Sequence, residues 1–405
     1  MASRLTALGV HVQQVLTISD SESDIMAAIR QSVDKADLLL ITGGLGPTRD
    51  DVTKAALAKL LGCGYRLDEQ VLAYVQQLFY RRGLPFSKSN HDQAMVPELA
   101  ETLFNRMGTA PGLWLRLGNC DVAAMPGVPR EMKYLMEREV IPKVQGRLDG
   151  KSAYHVQYLH TYGISESQLS DDVIGDTEAL TSTNVLLAYL PGKGGVTLRV
   201  SSFADTATQA RYQAQPLIDH LLNRAGEHIF STKPHDTLAT TLNRMLKDRG
   251  LRIATAESCT GGLLAGAITD VPGSSEVFDA GIVAYANSVK ISDLSVPAET
   301  LASFEAVSAE TAAAMAAAVA RKYGADIGLS TTGIAGPDGG TPEKPVGTIW
   351  IGFWSKDRHY ATLARLLRDR DENRQRTVGI ALEIVRRELL GIDRLPFDMK
   401  RVTFS

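Results

Sequence analysis

The sequence is sparing with several things, and each shortage removes a class of protein. Three cysteines in 405 residues, Cys63, Cys120 and Cys259, are odd in number and far apart. They supply neither a disulfide framework nor the spacing of a zinc site, and they suit a reducing compartment. No run of about 18 apolar residues is present, so no helix is expected to span a membrane. The opening "MASRLTALGV" lacks the charged-then-apolar order of a signal peptide. Positive charge is not in excess: 43 Lys and Arg against 46 Asp and Glu give a formal net charge of −3, which leaves no bulk basic surface for nucleic acid. Histidine is short where acid–base chemistry would want it, with only His235 and His359 in the last 175 residues and neither in a glycine loop. There is no internal repeat, and no low-complexity tract beyond an alanine run. A soluble cytoplasmic protein is expected, with neither membrane nor nucleic acid among its partners.

What is present is a chain of ordinary globular composition, 44% hydrophobic and 22% charged, and long enough for two or three cores. In its first part "VQQVLTI", residues 12–18, reads as a strand and "SDSESDIMAAIRQSVDKA" as a capped helix. "DLLLIT" reads as a buried parallel strand, and "VTKAALAKLLG" as a helix that follows the glycine loop "GGLGPTRDD". Strand, glycine loop and helix make the βα unit of a three-layer fold. Composition shifts near residue 145. There "AYHVQYLHTYG" is strand-like, "SESQLSDDVIG" helical, "VLLAYLPGKGGVTLRVSSF" a hairpin turning at residues 191–195, and "ATQARYQAQPLIDHLLNRA" a closing helix. "STKPHD", 231–236, reads as a linker. The pattern then restarts: helix "TLATTLNRMLKDRG", strand "LRIATA", an alanine-rich helix, strand "ADIGLSTTG", a Gly/Pro loop and strand "VGTIWIGFW".

The segment "RIATAESCTGGLLAGAITD" passes from strand through a turn into a helix and sets Ser258, Cys259 and Thr260 ahead of Gly261 and Gly262. Free N–H groups at a helix start can hold an oxyanion or a phosphate, and glycines let a ligand come close. The spacing is not the G-x-S-x-G of a nucleophile elbow, so Ser258 reads as a helix N-cap or as a nucleophile. An alcohol needs a base. With no histidine in place, the candidate is a lysine whose pKa is lowered by burial: Lys290 in "VAYANSVK", which by spacing alone reads as a solvated surface lysine. Arg370 and Arg374 in "RLLRDRDENRQR" share a helix face, as a solvated charged stripe or as a bidentate grip on a phosphate. The loop 333–340 adds backbone donors. Near the N-terminus Gly43, Gly44 and Gly46, with Thr48, form an anion loop before a helix. Asp50 and Asp51 beside it are either helix-capping acids or oxygen ligands for a divalent metal such as Mg2+.

"AESCTGG", "YANSVK", "TTGIAGPDGGTPEKPVGT" and "DRDENR" resemble, in order and spacing, the nicotinamide mononucleotide (NMN) deamidase domain of the CinA family. The resemblance implies a C-terminal α/β deamidase domain over 236–395. It implies hydrolysis of the NMN carboxamide to nicotinate mononucleotide and ammonia, in pyridine nucleotide salvage and without a cofactor. It also implies Ser258 as nucleophile, Lys290 as base, and Tyr285 and Thr332 as further catalytic groups. The substrate and phosphate site would be Thr260, Gly261, Gly262, Gly333, Gly336, Arg370 and Arg374. Cys259 is then a small packed neighbour. Two positions depart from the family: Arg368 where it has glycine before the "DR" pair, and Ser295 in "LSV" where it has "LGV".

"TGGLGPTRDDVT", "NHDQAMVP", "NRMGTAPG" and "PGVPREM" resemble the molybdopterin-binding-like domain that precedes the deamidase in full-length CinA proteins. This implies a three-layer α/β/α domain over 1–145, with metal-dependent cleavage of ADP-ribose and a divalent ion near Asp50 and Asp51. Members of the family begin with a strand and a "GDELL"-like motif, whereas this chain opens at what would be the next helix. A gap or an exposed edge in the sheet is therefore expected, and that activity ranks behind the deamidase. Residues 146–230 resemble the small α+β KH-type linker of the same family. Its "GKGG", 192–195, falls at a predicted hairpin tip rather than between two helices, so it reads as a turn and not as an RNA-binding loop. Residues 396–405 are a tail with no assigned role. The fold class expected is thus α/β multidomain, and the chain is expected to form a homodimer acting on a small nucleotide. The third alternative is a non-catalytic binding protein tied to competence and DNA damage.

Overall fold

The computed structural model describes residues 1–405 apart from 2, 3, 6, 7, 49, 149–152, 193, 194, 367, 368 and 405. Lys193 and Gly194 of the "GKGG" turn, and the family departure Arg368, lie outside the described residues. The chain forms two compact units, Met1–Tyr154 and His155–Ser405.

In the first unit a four-stranded sheet runs β1 (Leu38–Thr42), β6 (Cys120–Met125), β5 (Gly112–Leu117), β4 (Glu101–Leu103), while β2 (Tyr65–Leu67) pairs with β3 (Met95–Pro97) apart from it. Only β1 and β6 are parallel. Side chains alternate across β5, so the two faces have different partners. Leu113 and Leu115 meet Ile25 and Ile29 of α1 (Glu22–Val33) and Ala56 and Leu57 of α2 (Thr53–Leu61). Trp114 faces the other way, onto Leu135, Met136 and Val140. These are the expected three layers. The strand expected at 12–18 does not form: residues 11–19 carry no strand and Val15 is 79% exposed. A strand needs a ladder partner, and among the described residues β1 pairs with β6 alone. As an outer strand β1 is half-buried, not buried as its apolar run suggests.

The second unit holds two sheets. The smaller runs β10 (Ile229–Ser231), β7 (Ala153–Thr161), β9 (Val196–Ala204), β8 (Val185–Pro191), with β8 and β9 as the expected hairpin. On it lies α3 (Ala207–Ala225), whose Ala214, Leu217 and Leu221 pack on Leu159, Leu198 and Val200. The supposed linker starts inside β10, at Ser231, whose hydroxyl donates to Asp236 at 2.6 Å.

The larger sheet runs β12 (Phe278–Val283), β11 (Ile253–Glu257), β13 (Ile327–Gly333), β14 (Thr348–Ser355), β15 (His359–Arg365), β16 (Arg401–Thr403). The first three are parallel and end at one edge; the others are antiparallel. One face carries the alanine-rich α7 (Ala309–Tyr323), which explains that composition. A Cβ at Gly328 would stand 2.0 Å from the Ala316 carbonyl oxygen, and one at Gly352 2.2 Å from that of Ala312. Small residues on both sides let the helix backbone lie directly against the strands. The other face carries α4 (Leu238–Arg249), α5 (Leu263–Thr269) and α8 (Arg370–Leu390), whose Leu242, Leu264, Val378 and Ile384 enclose Ile351 and Phe353.

The tail acquires a role. Beyond α8 it adds β16 to the sheet, stacks Arg401 over the Tyr360 ring at 5.0 Å, and joins the Phe397 N–H to the Gly163 carbonyl at 2.7 Å. The two sheets of this unit also share buried charge. Glu383, fully buried, pairs with Arg386 and Arg387 at 2.7 Å each. Arg386 donates to the Glu227 carbonyl, and Arg387 to His228 Nδ1 at 3.1 Å. Burial, then Arg387, pushes His228 down to about 4, so its ring is a neutral acceptor.

Glu383→Ala leaves two buried guanidiniums without their counter-charge, and chemical denaturation is expected to show a loss of about 3–5 kcal/mol. Ser295, the family's glycine position, sits at φ 54, a backbone region costly for any side chain. Ser295→Gly is expected to raise stability by up to about 1 kcal/mol in the same measurement.

Candidate active site

The parallel strands β11, β12 and β13 end together, and a crevice beyond strand carboxyl ends is where open α/β sheets bind ligands. Ser258 follows β11, and its N–H donates to the Thr331 carbonyl of β13 at 2.8 Å. The chain then turns through Gly261 (φ 60) and Gly262 (φ 94) into α5, a left-handed path that suits glycine. Lys290 stands on the short helix α6 (Asn287–Ser292) that follows β12, and Thr332 and Gly333 finish β13.

Read from spacing alone, Lys290 is a surface lysine; in the fold it is 1% exposed. Its Nζ lies 3.2 Å from Ser258 Oγ, 2.9 Å from the Ala284 carbonyl and 3.1 Å from the Tyr285 carbonyl. None of these partners is charged. Burial therefore lowers the Lys290 pKa, with Cys259 acting weakly the other way. A neutral amine satisfies this geometry completely. Its two N–H groups donate to the carbonyls, and its lone pair accepts from the Ser258 hydroxyl. The adjacent thiol of Cys259 is pushed up to about 12 by burial, so it stays protonated and is no competing nucleophile.

Ser258 and Lys290 open into a cleft of about 200 Å³, also lined by Cys259, Tyr285, Thr332, Arg370 and the chain at Ala306, Val307, Gly333 and Ala335. Thr332 Oγ1 donates to the Ala306 carbonyl at 2.6 Å, so the hydroxyl presents only lone pairs elsewhere. Tyr285 is 61% exposed, and its hydroxyl accepts from Arg370 Nη2 at 3.4 Å. Arg370 Nη1 donates to the Gly336 carbonyl at 2.6 Å, which places Gly336 behind the arginine and outside the lining.

Besides Gly336, four of the expected phosphate-binding residues are not part of this wall. Arg374 Nη2 donates to the Thr260 carbonyl at 2.8 Å and braces the turn from behind. Thr260 is fully buried, its hydroxyl 2.6 Å from that of Thr331. Gly261 and Gly262 lie on the turn's far side, and the Gly262 N–H is already taken. Its acceptor is Glu257, a buried residue to which sequence reading assigned nothing. Glu257 Oε2 accepts from the amides of Gly262 at 2.9 Å and Leu264 at 3.0 Å, and Oε1 from that of Ala265 at 2.7 Å. The start of α5 is thus closed by the chain's own carboxylate. The amides of Cys259 and Thr260 meet no oxygen acceptor among the described residues; both lie against the buried Cys259 sulfur. The one sequence signal for Glu257 is an acid immediately before the candidate nucleophile in a strand otherwise without charge. Nothing local marked the carbonyls of Ala284, Tyr285 and Ala306.

In the first unit the glycine loop is tightly folded on itself. The Gly43 N–H donates to the Met125 carbonyl at 2.9 Å. A Cβ on Gly44 would stand 2.2 Å from Thr53 Oγ1, and one on Gly46 2.6 Å from Asp51 Oδ2. Asp51 Oδ2 accepts from the Thr48 amide at 3.0 Å and hydroxyl at 2.5 Å. Burial raises its carboxyl, but the Thr48 bonds outweigh it and hold it below its ordinary value. These bonds run back into the loop: Asp51 braces the turn before α2, whose N-cap is Val52 and carries no side-chain capping bond. Among the described residues no third His, Cys, Asp or Glu joins Asp50 and Asp51 to complete a metal-binding group. In the whole chain, among the described residues, no helix is long and apolar enough to cross a membrane.

Residues 235–389 match the family model described as "CinA C-terminal domain". Residues 1–146 match the "Probable molybdopterin binding domain", and 156–231 the "Damage-inducible protein CinA KH domain". A CinA-like protein of Cytophaga hutchinsonii is 38% identical over 96% of this chain and 92% of its own. One of Chloroherpeton thalassium is 42% identical over 96% and 93%. The solved structure of the competence/damage inducible protein CihA from Agrobacterium tumefaciens has 39% identity over 39% of this chain and 99% of its own, with a TM-score of 0.36. Matched by these three domain models and by relatives over nearly its whole length, the chain belongs to the CinA family.

Proposed function

We propose that this protein is a Ser/Lys amidohydrolase that deamidates nicotinamide mononucleotide to nicotinate mononucleotide. The observation that carries the reading is the 3.2 Å approach of Lys290 Nζ to Ser258 Oγ, with the amine buried among uncharged partners. A lysine kept in that setting is a base in search of a proton, and the hydroxyl beside it is the nearest source.

In the first step Ser258 Oγ bonds to the carboxamide carbon and its proton passes to Lys290. The carbonyl oxygen takes the displaced electron pair, and the amides of Cys259 and Thr260 are the donors left to stabilise it, an effect of roughly 3–4 kcal/mol per donor. Collapse of the adduct breaks the C–N bond, and the proton on Lys290 goes to the leaving nitrogen, which departs as ammonia. Water then attacks the acyl-serine and gives its proton to Lys290, which returns it to Ser258 as the acid leaves. The cycle needs no redox partner. Arg370 supplies the cation on the cleft wall for the phosphate, since its remaining N–H groups are not used by Gly336.

The test is ammonia release from NMN by the wild type and by Ser258→Ala, Lys290→Ala and Cys259→Ala. The first two are expected to lose about 1,000-fold or more in kcat, and Cys259→Ala to stay near wild type. Equal activity in all four would overturn the assignment. A second expectation concerns pH. As pH rises through the lowered Lys290 pKa the amine becomes a base, so kcat/KM rises and levels off. The midpoint of that limb is expected below the 10.5 of an ordinary lysine, and a midpoint at the ordinary value would contradict the buried-base reading.

A further inference from the structure

We infer that Glu257 is the positioning residue of this site: its carboxylate holds the turn that presents Ser258 and takes up the amides at the start of α5. The inference rests on the Ser258–Lys290 reading above.

A turn through two left-handed glycines has little stiffness of its own. Ser258 is fixed at its entry by the Thr331 carbonyl and Thr260 by Thr331 and Arg374, but beyond Thr260 the Gly261 N–H reaches the Ser258 carbonyl only at 3.2 Å. The exit needs an anchor, and Glu257 provides it. The residue is 1% exposed, and it binds three amides on the far side of the turn with two oxygens. Bonds from N–H groups to a carboxylate are about twice as strong as neutral ones. Its backbone contributes as well. The Glu257 carbonyl accepts from the Ala284 N–H at 2.8 Å, and the Ala284 carbonyl in turn accepts from Lys290 Nζ. The supports of nucleophile and base therefore meet at one residue.

Two consequences follow. An anion arriving in the cleft is refused the start of α5, whose amides are already occupied, and is left to Arg370. And the oxyanion is left to the Cys259 and Thr260 amides, which have only the weak Cys259 sulfur as acceptor and whose direction depends on the turn that Glu257 holds. Glu257 touches neither substrate nor the transferred proton, so its loss disturbs geometry and not proton supply. A displacement near 1 Å between reacting groups costs about 100-fold.

The variant that tests this is Glu257→Gln, which keeps the shape but sets an NH2 group against amide donors. It is expected to lower kcat about 10- to 100-fold, with KM within about twofold and the pH limb unmoved. Labelling of Ser258 by a fluorophosphonate probe is expected to slow by the same factor in protein that remains folded by thermal melting. Glu257→Asp, which retains the charge, is expected to recover part of the loss, and it takes the place of the Gln variant should that one fail to fold. Wild-type labelling rates in a folded Gln variant, or a shifted pH limb, would overturn the inference. The labelling arm reports the nucleophile whatever the substrate. Absence of ammonia release from wild type would therefore count against NMN as substrate, while the labelling rates alone would decide the role of Glu257.

Discussion

An amine held out of water with no opposite charge is the condition on which the rest of this site depends. Lys290 gives up hydration, which disfavours its ammonium form, and the fold answers with two backbone carbonyls and one hydroxyl instead of a carboxylate. An acid in that place would have restored the proton and removed the base. The same economy governs Thr332, whose proton is committed to a carbonyl, and Cys259, which burial keeps as a thiol. The cleft is thus assembled from groups whose protonation states the surrounding backbone sets.

The last long helix joins this chemistry to the rest of its unit. The first turn of α8 reaches the site loops through Arg370 to Gly336, Asn373 to Ala335 and Arg374 to Thr260. Further along, Tyr162, just beyond the end of β7, packs against Gly379, where a Cβ would stand 2.2 Å from its hydroxyl oxygen. Near the helix end Glu383, Arg386 and Arg387 carry the buried ion network to Glu227 and His228. One rigid helix therefore touches the loops of the cleft at one end and the neighbouring sheet along the other. This is why the two sheets form a single compact unit although they resemble separate domains in sequence.

Much of the architecture was legible in local pattern. Periodicity marked α1, α2 and α3, the short apolar run marked β1, and the turn residues marked the β8–β9 hairpin, because such signals depend on near neighbours. Where pattern failed, the missing information was a partner. Residues 12–18 have the composition of a strand, but no ladder takes them up. The tail has no strong periodicity, yet the free edge of β15 recruits it as β16. The alanine run was conspicuous but unexplained until Gly328 and Gly352 were seen beneath it.

For the site, the chain by itself determined the inventory: a serine ahead of paired glycines, a lysine after the next strand, and arginines at the start of a late helix. Only the tertiary structure decided which of them share a cleft. It brought Ser258 and Lys290, 32 positions apart, to hydrogen-bond distance and turned Tyr285, Thr332 and Arg370 toward them. It sent Thr260 into the core, set Arg374 behind the turn, and gave the helix-start amides to Glu257. The physical reason is that a side chain's chemistry belongs to the residue, whereas its solvation and its partners belong to the packing. A lysine on a short helix reads as exposed until neighbouring strands bury it, and that burial is what makes it a base.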